Sequence, residues 1–213
     1  MKINLLCADR HLPVGVLEQY RNEAWAGIDR GALILVEHGI NPVYSVGDFD
    51  SVSEHERQQL IEKLDIHPVK AEKDDTDLAL GVEQAVAYGY TDIFIYGATG
   101  GRLDHFMGAL QILLKKHYRR HGITIKMVDA QNVIQLLEMG RHKIAKDEHF
   151  PYISFIPVNG EVVLSLEGFK YNLERRQLEI GSTLTISNEI NHPYAWIDIH
   201  QGQVLQIRSR DND

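Results

Sequence analysis

Paired acidic residues follow a short apolar run in the segment Gly47-Asp48-Phe49-Asp50-Ser51. In extended backbone, side chains two residues apart point the same way, so Asp48 and Asp50 can converge on one ion. Carboxylates held close together repel unless a cation or a proton lies between them. Because Mg²⁺ takes one or two carboxylates together with water and phosphate oxygens, the spacing predicts a magnesium site. The alternative is a polar turn in which Asp50 caps a helix over 51–64.

A second acidic segment, Glu72-Lys73-Asp74-Asp75-Thr76-Asp77, lies at the start of a predicted helix. The helix dipole accounts for some of these acids, since negative charge stabilises a first helical turn. It does not readily explain why so many occur together. We therefore expect Asp77 to supply a third carboxylate to the ion at Asp48 and Asp50.

A glycine-rich segment runs from Gly97 to His105, with the sequence Gly-Ala-Thr-Gly-Gly-Arg-Leu-Asp-His. It separates a predicted buried strand from a predicted helix. Glycines let backbone N–H groups approach a ligand, and a helix N-terminus attracts phosphate. Arg102 adds a donor that can bind phosphate through two nitrogens. The spacing fits neither the Walker loop nor the dinucleotide fingerprint, so a simple tight turn is the alternative.

These segments must be positioned by the elements around them. Short apolar runs indicate strands buried on both faces, and apolar residues at helical spacing indicate two amphipathic helices. Because strands and helices alternate, the first half is predicted to be an open, mainly parallel α/β sheet. The predicted strands are Ala32–Val36, Pro42–Val46, Asp92–Tyr96 and Ile123–Val128, and the predicted helices are Thr76–Tyr88 and Leu103–His121.

The second half of the chain has a different pattern. Short strand-like segments punctuated by glycines predict a small all-β sandwich. The chain is accordingly divided into an α/β domain at 1–129 and a β-sandwich domain at 130–213. The predicted strands of the sandwich are Val133–Leu137, Tyr152–Pro157, Glu161–Leu166, Thr183–Ser187, Ala195–His200 and Gln203–Arg208.

Composition narrows the functional class. The 213 residues carry a formal net charge of −8, which argues against nucleic acid as a partner. No apolar run approaches the ~20 residues of a membrane helix. A single cysteine, Cys7, fits a reducing compartment, so we expect a cytoplasmic protein with no membrane partner. Cys7 itself follows two leucines and is predicted to be a buried strand residue.

The three segments together resemble thiamine pyrophosphokinases, also called thiamine diphosphokinases. The matching pieces are 47–51, 74–80 and 97–105, in the same order and at similar separations. The resemblance continues at Gly168-Phe169-Lys170-Tyr171 and along 181–189, and so covers almost the whole chain.

The resemblance implies a homodimer that transfers the pyrophosphoryl group of ATP to the hydroxyethyl oxygen of thiamine, giving thiamine diphosphate and AMP. Asp48, Asp50 and Asp77 would bind Mg²⁺. Asp74 and the 97–105 loop would lie near ATP phosphates or thiamine. The loop residues concerned are Gly97, Thr99, Gly100, Gly101, Arg102, Asp104 and His105, and Thr185, Ser187 and Asn188 would face thiamine.

One segment departs from the family pattern, which often has Asp-Gly-Gly after its first helix. Here Asp29 and Gly31 fit a nucleotide-binding role, but Arg30 replaces a glycine and could contact phosphate or face solvent. The residues also leave the proton acceptor open between Asp77 and Asp104. Two rival functions remain: a hydrolase with Asp48 or Asp50 as covalent nucleophile, and a non-catalytic sensor of nucleotide or thiamine.

Overall fold

A computed structural model describes residues 1–47 and 75–211 of the chain. Asp48, Asp50 and Asp74 lie outside the described residues. The chain divides into two compact units, Met1–Ala130 and Gln131–Asp213. Among the described residues, no helix is long and apolar enough to span a membrane.

The first unit contains a parallel sheet with the strand order β5-β4-β1-β2-β3 in its described part. The chain runs from β1 outward to β3 on one side, and β4 and β5 lie on the other side of β1. The sheet therefore has its topological switch point between β1 and β4, where open α/β sheets bind ligands. The strands are β1 (Lys2–Leu6), β2 (Trp25–Ile28), β3 (Tyr44–Val46), β4 (Asp92–Tyr96) and β5 (Thr124–Val128).

Five helices accompany this sheet in the described residues. The indole of Trp25 packs on the ring of Tyr96 with 5.5 Å between ring centroids, and both are buried in a cluster with Leu35. This cluster packs residues of β1, β2 and β4 against residues of α1 and α2. The helices are α1 (Val16–Gln19), α2 (Arg30–Glu37), α3 (Asp77–Ala87), α4 (Leu103–Leu114) and α5 (Lys116–Arg120).

The predicted strand Ala32–Val36 is wrong, because these residues belong to helix α2. Four of its five residues are buried, so the run is apolar on nearly every side, as a buried strand would be. The predicted helix Leu103–His121 is broken at Lys115, whose backbone is extended (ψ 116°).

The second unit is all β, as predicted. Its two longest strands, β8 and β11, pair with each other along most of their length, and each also pairs with other strands. Within this unit the strand order is β10-β8-β11-β6, and in addition β9 pairs with β8 and β7 pairs with β11. The strands are β6 (Asn132–Leu137), β7 (Gly140–Ala145), β8 (Tyr152–Glu167), β9 (Leu173–Leu178), β10 (Asn188–Glu189) and β11 (Tyr194–Ser209).

Glycines bend these strands where the sequence predicted turns. Tyr152–Pro157 and Glu161–Leu166 are parts of one strand, β8, and the last two predicted strands are parts of β11. At the bend, a Cβ on Gly202 (φ 81°) would lie 2.5 Å from the carbonyl oxygen of Glu161. The predicted strand Thr183–Ser187 is wrong: the segment is a turn, in which the Ile186 amide donates to the Thr183 carbonyl.

Candidate active site

A cleft of about 500 Å³ opens at the carboxyl ends of β1, β2 and β4. Helices α3 and α4 point their first turns into it. It therefore lies at the switch point of the sheet, where the order of strands predicts a ligand site. The lining residues are Cys7, Arg10, Ile28, Asp29, Thr76, Asp77, Leu78, Gly97, Ala98, Gly101, Arg102, Asp104, His105, Gly108 and Ala109.

The cleft brings together part of the predicted site. Its lining contains residues from three separate predicted segments, but Gly31, Thr99 and Gly100 are not among them. Arg30, whose role the sequence left open, is exposed and does not line the cleft. The predicted residues that do line it are Asp29, Asp77, Gly97, Gly101, Arg102, Asp104 and His105.

Asp29 follows β2 and has a strained backbone, with φ 48° and ψ −123°. Such a conformation costs an L-residue about 1–3 kcal/mol, so the surrounding structure must hold it in place. The amide of Asp29 donates to the carbonyl of Val46 at 2.9 Å, which fixes it at the end of β3. A Cβ on Gly47 would lie 2.3 Å from Oδ1 of Asp29. Gly47 therefore lies against this carboxylate, and Asp48 is the next residue in the chain.

Gly31 has a packing role in the structure. A Cβ at this position would lie 1.7 Å from the carbonyl oxygen of Leu6, at the end of β1. Gly27 makes the same kind of approach to Ala32, at 2.3 Å from its Cα. The two glycines let helix α2 pack directly on the backbone of the sheet, which places Asp29 at the edge of the cleft.

The glycines of the 97–101 loop make room for the loop that follows β1. A Cβ on Gly97 would lie 2.1 Å from the carbonyl oxygen of Ala8, and one on Gly100 would lie 2.1 Å from the His11 ring. Thr99 turns away from the cleft, and its hydroxyl donates to Asp129 Oδ2 at 2.7 Å. Close packing between two loops thus explains glycines that the sequence indicated for ligand approach.

Arg102 and Asp104 form a two-contact ion pair at the mouth of the cleft. Arg102 Nε donates to Asp104 Oδ1 at 3.1 Å, and its terminal nitrogen donates to Oδ2 at 2.6 Å. The hydrogen bonds from Arg102 and from the His105 amide lower the pKa of Asp104 to about 2. Both side chains are largely exposed. In this arrangement the guanidinium that was predicted to bind phosphate is engaged by a carboxylate.

The acidic segment before α3 divides its side chains between two tasks. Thr76 caps the helix, accepting from the Ala79 amide at 3.3 Å. Asp75 Oδ1 accepts from the Thr76 amide at 3.1 Å, and its Oδ2 accepts from Lys115 Nζ at 2.9 Å. Asp77, on the first turn, lines the cleft. Asp75 therefore holds the helix start in place, and Asp77 faces the ligand space.

Cys7 is not a strand residue as predicted: β1 ends at Leu6, and Cys7 is half-buried in the cleft lining. Burial, with a smaller effect from Asp29, raises the pKa of its thiol to about 12. Arg10 acts in the opposite direction on this thiol. Sequence analysis missed Arg10 as a cleft residue. The available signal was its position in the short polar segment that follows the first strand.

The described residues alone contain no cluster of three or more His, Cys, Asp or Glu that could hold a metal. Asp29 and Asp77 nevertheless present carboxylate oxygens to the cleft, and oxygen donors are what Mg²⁺ requires. The donor chemistry therefore fits magnesium, with further carboxylates needed from outside the described ranges.

The three residues predicted to face thiamine lie in the second unit. Thr185 is buried and its hydroxyl donates to the Phe155 carbonyl. Asn188 is also buried: its amide nitrogen donates to the Tyr171 carbonyl at 2.8 Å, and its Oδ1 accepts from the Tyr171 amide at 3.1 Å. Ser187 is exposed, with φ 55°. Thr185 and Asn188 therefore shape the segment that presents Ser187.

Two family models match the chain, one in each of its two compact units. Residues 17–127 match the family model "Thiamin pyrophosphokinase, catalytic domain", and residues 141–204 match "Thiamin pyrophosphokinase, vitamin B1 binding domain". The thiamine pyrophosphokinase of Bacillus subtilis (strain 168) is 44% identical over 190 residues, which span 88% of this chain and 87% of that protein.

Two solved structures extend the comparison to the whole chain. The crystal structure of thiamine pyrophosphokinase from Bacillus subtilis superposes with a TM-score of 0.91 at 40% identity, over 100% of both chains. That of a probable thiamine pyrophosphokinase from Staphylococcus saprophyticus gives 0.79 at 51% identity, again over 100% of both. The chain therefore belongs to the thiamine pyrophosphokinase family of enzymes.

Proposed function

We propose that the chain transfers the pyrophosphoryl group of ATP to the hydroxyethyl oxygen of thiamine with the help of Mg²⁺, releasing thiamine diphosphate and AMP. The observation that carries this proposal is the cleft at the switch point, which combines carboxylates (Asp29, Asp77), guanidinium groups (Arg10, Arg102) and a helix N-terminus. Family membership selects the substrates. It also favours direct transfer over the hydrolase and the sensor.

Phosphoryl-type transfer depends mainly on positioning and neutralisation of charge. We assign Asp77, together with Asp48 and Asp50, to binding Mg²⁺, which would offset charge on the phosphate oxygens. The lowered pKa of Asp104 makes this carboxylate a weak base. We therefore assign Asp104 to orienting Arg102 rather than to removing the proton from the thiamine hydroxyl.

The product identifies the reaction. ATP, Mg²⁺ and thiamine are incubated with the protein and separated by chromatography. AMP should rise in equal amount with thiamine diphosphate. ADP with thiamine monophosphate would mean transfer of one phosphoryl group, and no thiamine product would refute the proposal.

The metal assignment has its own test. Asp48→Asn and Asp50→Asn should each nearly abolish turnover while the thermal midpoint without metal holds or rises, because removing one of two crowded carboxylates relieves repulsion. Near wild-type activity of either variant at ordinary Mg²⁺ would show that the assignment is wrong.

We also propose a homodimer in which the site is shared. The cleft is lined by residues of the first unit, whereas the residues assigned to thiamine lie in the second. Around Ser187, the large apolar side chains Tyr171, Leu184 and Ile186 are 60%, 53% and 45% exposed, as expected of a surface that meets a second copy.

The cytoplasmic location remains a prediction.

Complementation tests the sharing. Asp48→Asn and Asn188→Ala chains are each expected to be poorly active, the second because it loses the hydrogen bonds to Tyr171. In a mixed dimer with shared sites, one site carries both defects and the other carries neither. Random exchange at equal amounts leaves roughly a quarter of all sites intact. Mixed dimers that show no activity would place each site within one chain.

A further inference from the structure

Arg10 lies in the loop between β1 and α1, four residues beyond the last residue of β1, and its side chain lines the cleft. It is exposed, and within residues 1–47 and 75–211 the structure records no ion pair for its guanidinium. Arg102, the other arginine of the cleft, is held by Asp104. Arg10 can therefore bind an anion directly, whereas Arg102 would first have to break its ion pair with Asp104.

The guanidinium of Arg10 lies against the glycine-rich loop. A Cβ on Gly101 would lie 2.8 Å from Arg10 Cζ and 2.9 Å from one of its terminal nitrogens. Gly101 has no positive φ, so its backbone conformation would accept a side chain. The Arg10 guanidinium occupies the space that such a side chain would fill. The cation is thus placed beside the turn that leads into the first turn of α4, where backbone amides also favour an anion.

We propose that Arg10 binds the β- and γ-phosphates of ATP. This inference rests on the proposed function and assigns to it a residue outside the acidic and glycine-rich segments. Asp29 and Asp77 line the same cleft, so the charge-dense end of the nucleotide, which a magnesium ion would accompany, belongs near them. A guanidinium matches the spacing of phosphate oxygens and keeps its charge at every physiological pH.

The first test compares ATP and AMP binding by calorimetry with Mg²⁺ and without thiamine. Arg10→Gln should bind ATP about 10- to 100-fold more weakly, the range for losing hydrogen bonds to a charged group. AMP affinity should change less than threefold, because AMP lacks the β- and γ-phosphates that Arg10 is proposed to bind. Arg10→Lys, which keeps the charge, should lie between Arg10→Gln and wild type. The KM for ATP should rise, and the KM for thiamine should not.

Arg21→Gln is the matched control because it removes the same charge in the same unit. Arg21 pairs with Glu18 at 3.3 Å and does not line the cleft. It should bind ATP as the wild type does. Unchanged ATP affinity in Arg10→Gln, or equal losses for ATP and AMP, would overturn the assignment of Arg10. If the wild type itself neither bound ATP nor formed product, the proposed function would fail instead.

Gly101→Ala tests the contact between the two residues. The added methyl group should displace the Arg10 guanidinium and weaken ATP binding in the wild-type background. In Arg10→Gln it should add less than about twofold, because there is no guanidinium left to displace. If the losses of ATP affinity from the two substitutions multiply fully in the double variant, Gly101 acts without Arg10. The proposed contact between the two residues would then be refuted.

Discussion

The ammonium nitrogen of Lys115 lies 2.9 Å from Oδ2 of Asp75, 40 residues earlier in the chain. Lys115 is the extended residue at which the predicted long helix breaks, between α4 and α5. Its nitrogen also lies 3.5 Å from Glu83, which accepts from the buried Tyr118 hydroxyl at 2.7 Å. The break in one helix thus anchors the first turn of another, immediately before Asp77.

Lys115→Met should therefore impair activity more than stability. Both partners of the ion pair are partly exposed, so its loss should lower the free energy of unfolding by only about 0.2–1 kcal/mol. Freeing the start of α3 should lower kcat/KM for MgATP about tenfold, since small misplacement of binding groups has large effects. Steady-state kinetics and thermal melts measure the two effects.

Lys115→Arg should restore most of the activity, because it can reform the pair. Lys146→Met is the control, since Lys146 makes an exposed pair with Glu148 at 3.3 Å in the other unit. A Lys115→Met enzyme with wild-type kinetics would show that the pair does not position Asp77.

The strained backbone of Asp29 predicts a difference between two substitutions. Asp29→Gly and Asp29→Ala remove the same carboxylate, but only glycine tolerates φ 48° with ψ −123°. The glycine variant should be more stable than the alanine variant by about 1–2 kcal/mol in urea unfolding. Both should lose activity. Equal stability of the two variants would mean that the backbone at residue 29 carries no strain.

Gly31 and Gly108 should respond oppositely to alanine, although both lie in helices. At Gly31 the new methyl group would strike the Leu6 carbonyl, so unfolding should be easier by about 3 kcal/mol. At Gly108 nothing lies within 4 Å, and alanine should stabilise α4 by up to about 1 kcal/mol. Denaturant midpoints measure both. A tolerated Gly31→Ala would contradict the close packing of α2 on β1.

Cys7 should react slowly with iodoacetamide in the native protein. A pKa near 12, against 9.0 for a free thiol, reduces the thiolate about 1,000-fold at pH 7. The greater nucleophilicity of a more basic thiolate recovers roughly 20-fold, which leaves labelling about 50-fold slower than in urea. Between pH 9 and 10 the labelling rate of the native protein should still rise tenfold per pH unit, because its thiol has a pKa of about 12. The labelling rate of the unfolded chain should level off there.

Because Cys7 is the only cysteine in the sequence, the label reports this position alone. It also lines the cleft, so ATP should slow labelling further. A native rate equal to that of the unfolded chain would show that the pKa of the thiol is not raised in the folded protein.

Hydrophobic periodicity predicted correctly those elements whose sequence pattern fits either a strand or a helix but not both. The strand Asp92–Tyr96 has the same bounds in the structure, and the helix predicted from Thr76 begins at Asp77 with Thr76 as its cap. A five-residue apolar run cannot distinguish a buried strand from a buried helix, which is why Ala32–Val36 was wrong. Glycines at the bends of β8 and β11 were likewise indistinguishable from turn glycines.

The sequence indicated cleft residues only where several charged or glycine residues occur together in a short segment. Asp77 and the Arg102–Asp104 pair belong to such segments and line the cleft. Arg10 also lines the cleft but belongs to no such segment, and its place beside the glycine-rich loop depends on β1 and β4 being neighbours. The engagement of Arg102 by Asp104 also depends on side-chain geometry, which the spacing of two residues does not specify.

Strand β11 ends at Ser209 and yet lies at the centre of the second unit, where it pairs with β6, β7 and β8. A ribosome adds residues in order, so the sheet of this unit cannot be completed until that strand has emerged. The first unit ends at Ala130, and we expect it to fold while the rest is still being made. A nascent chain arrested before Tyr194 should therefore carry a protease-resistant first unit and a second unit open to cleavage.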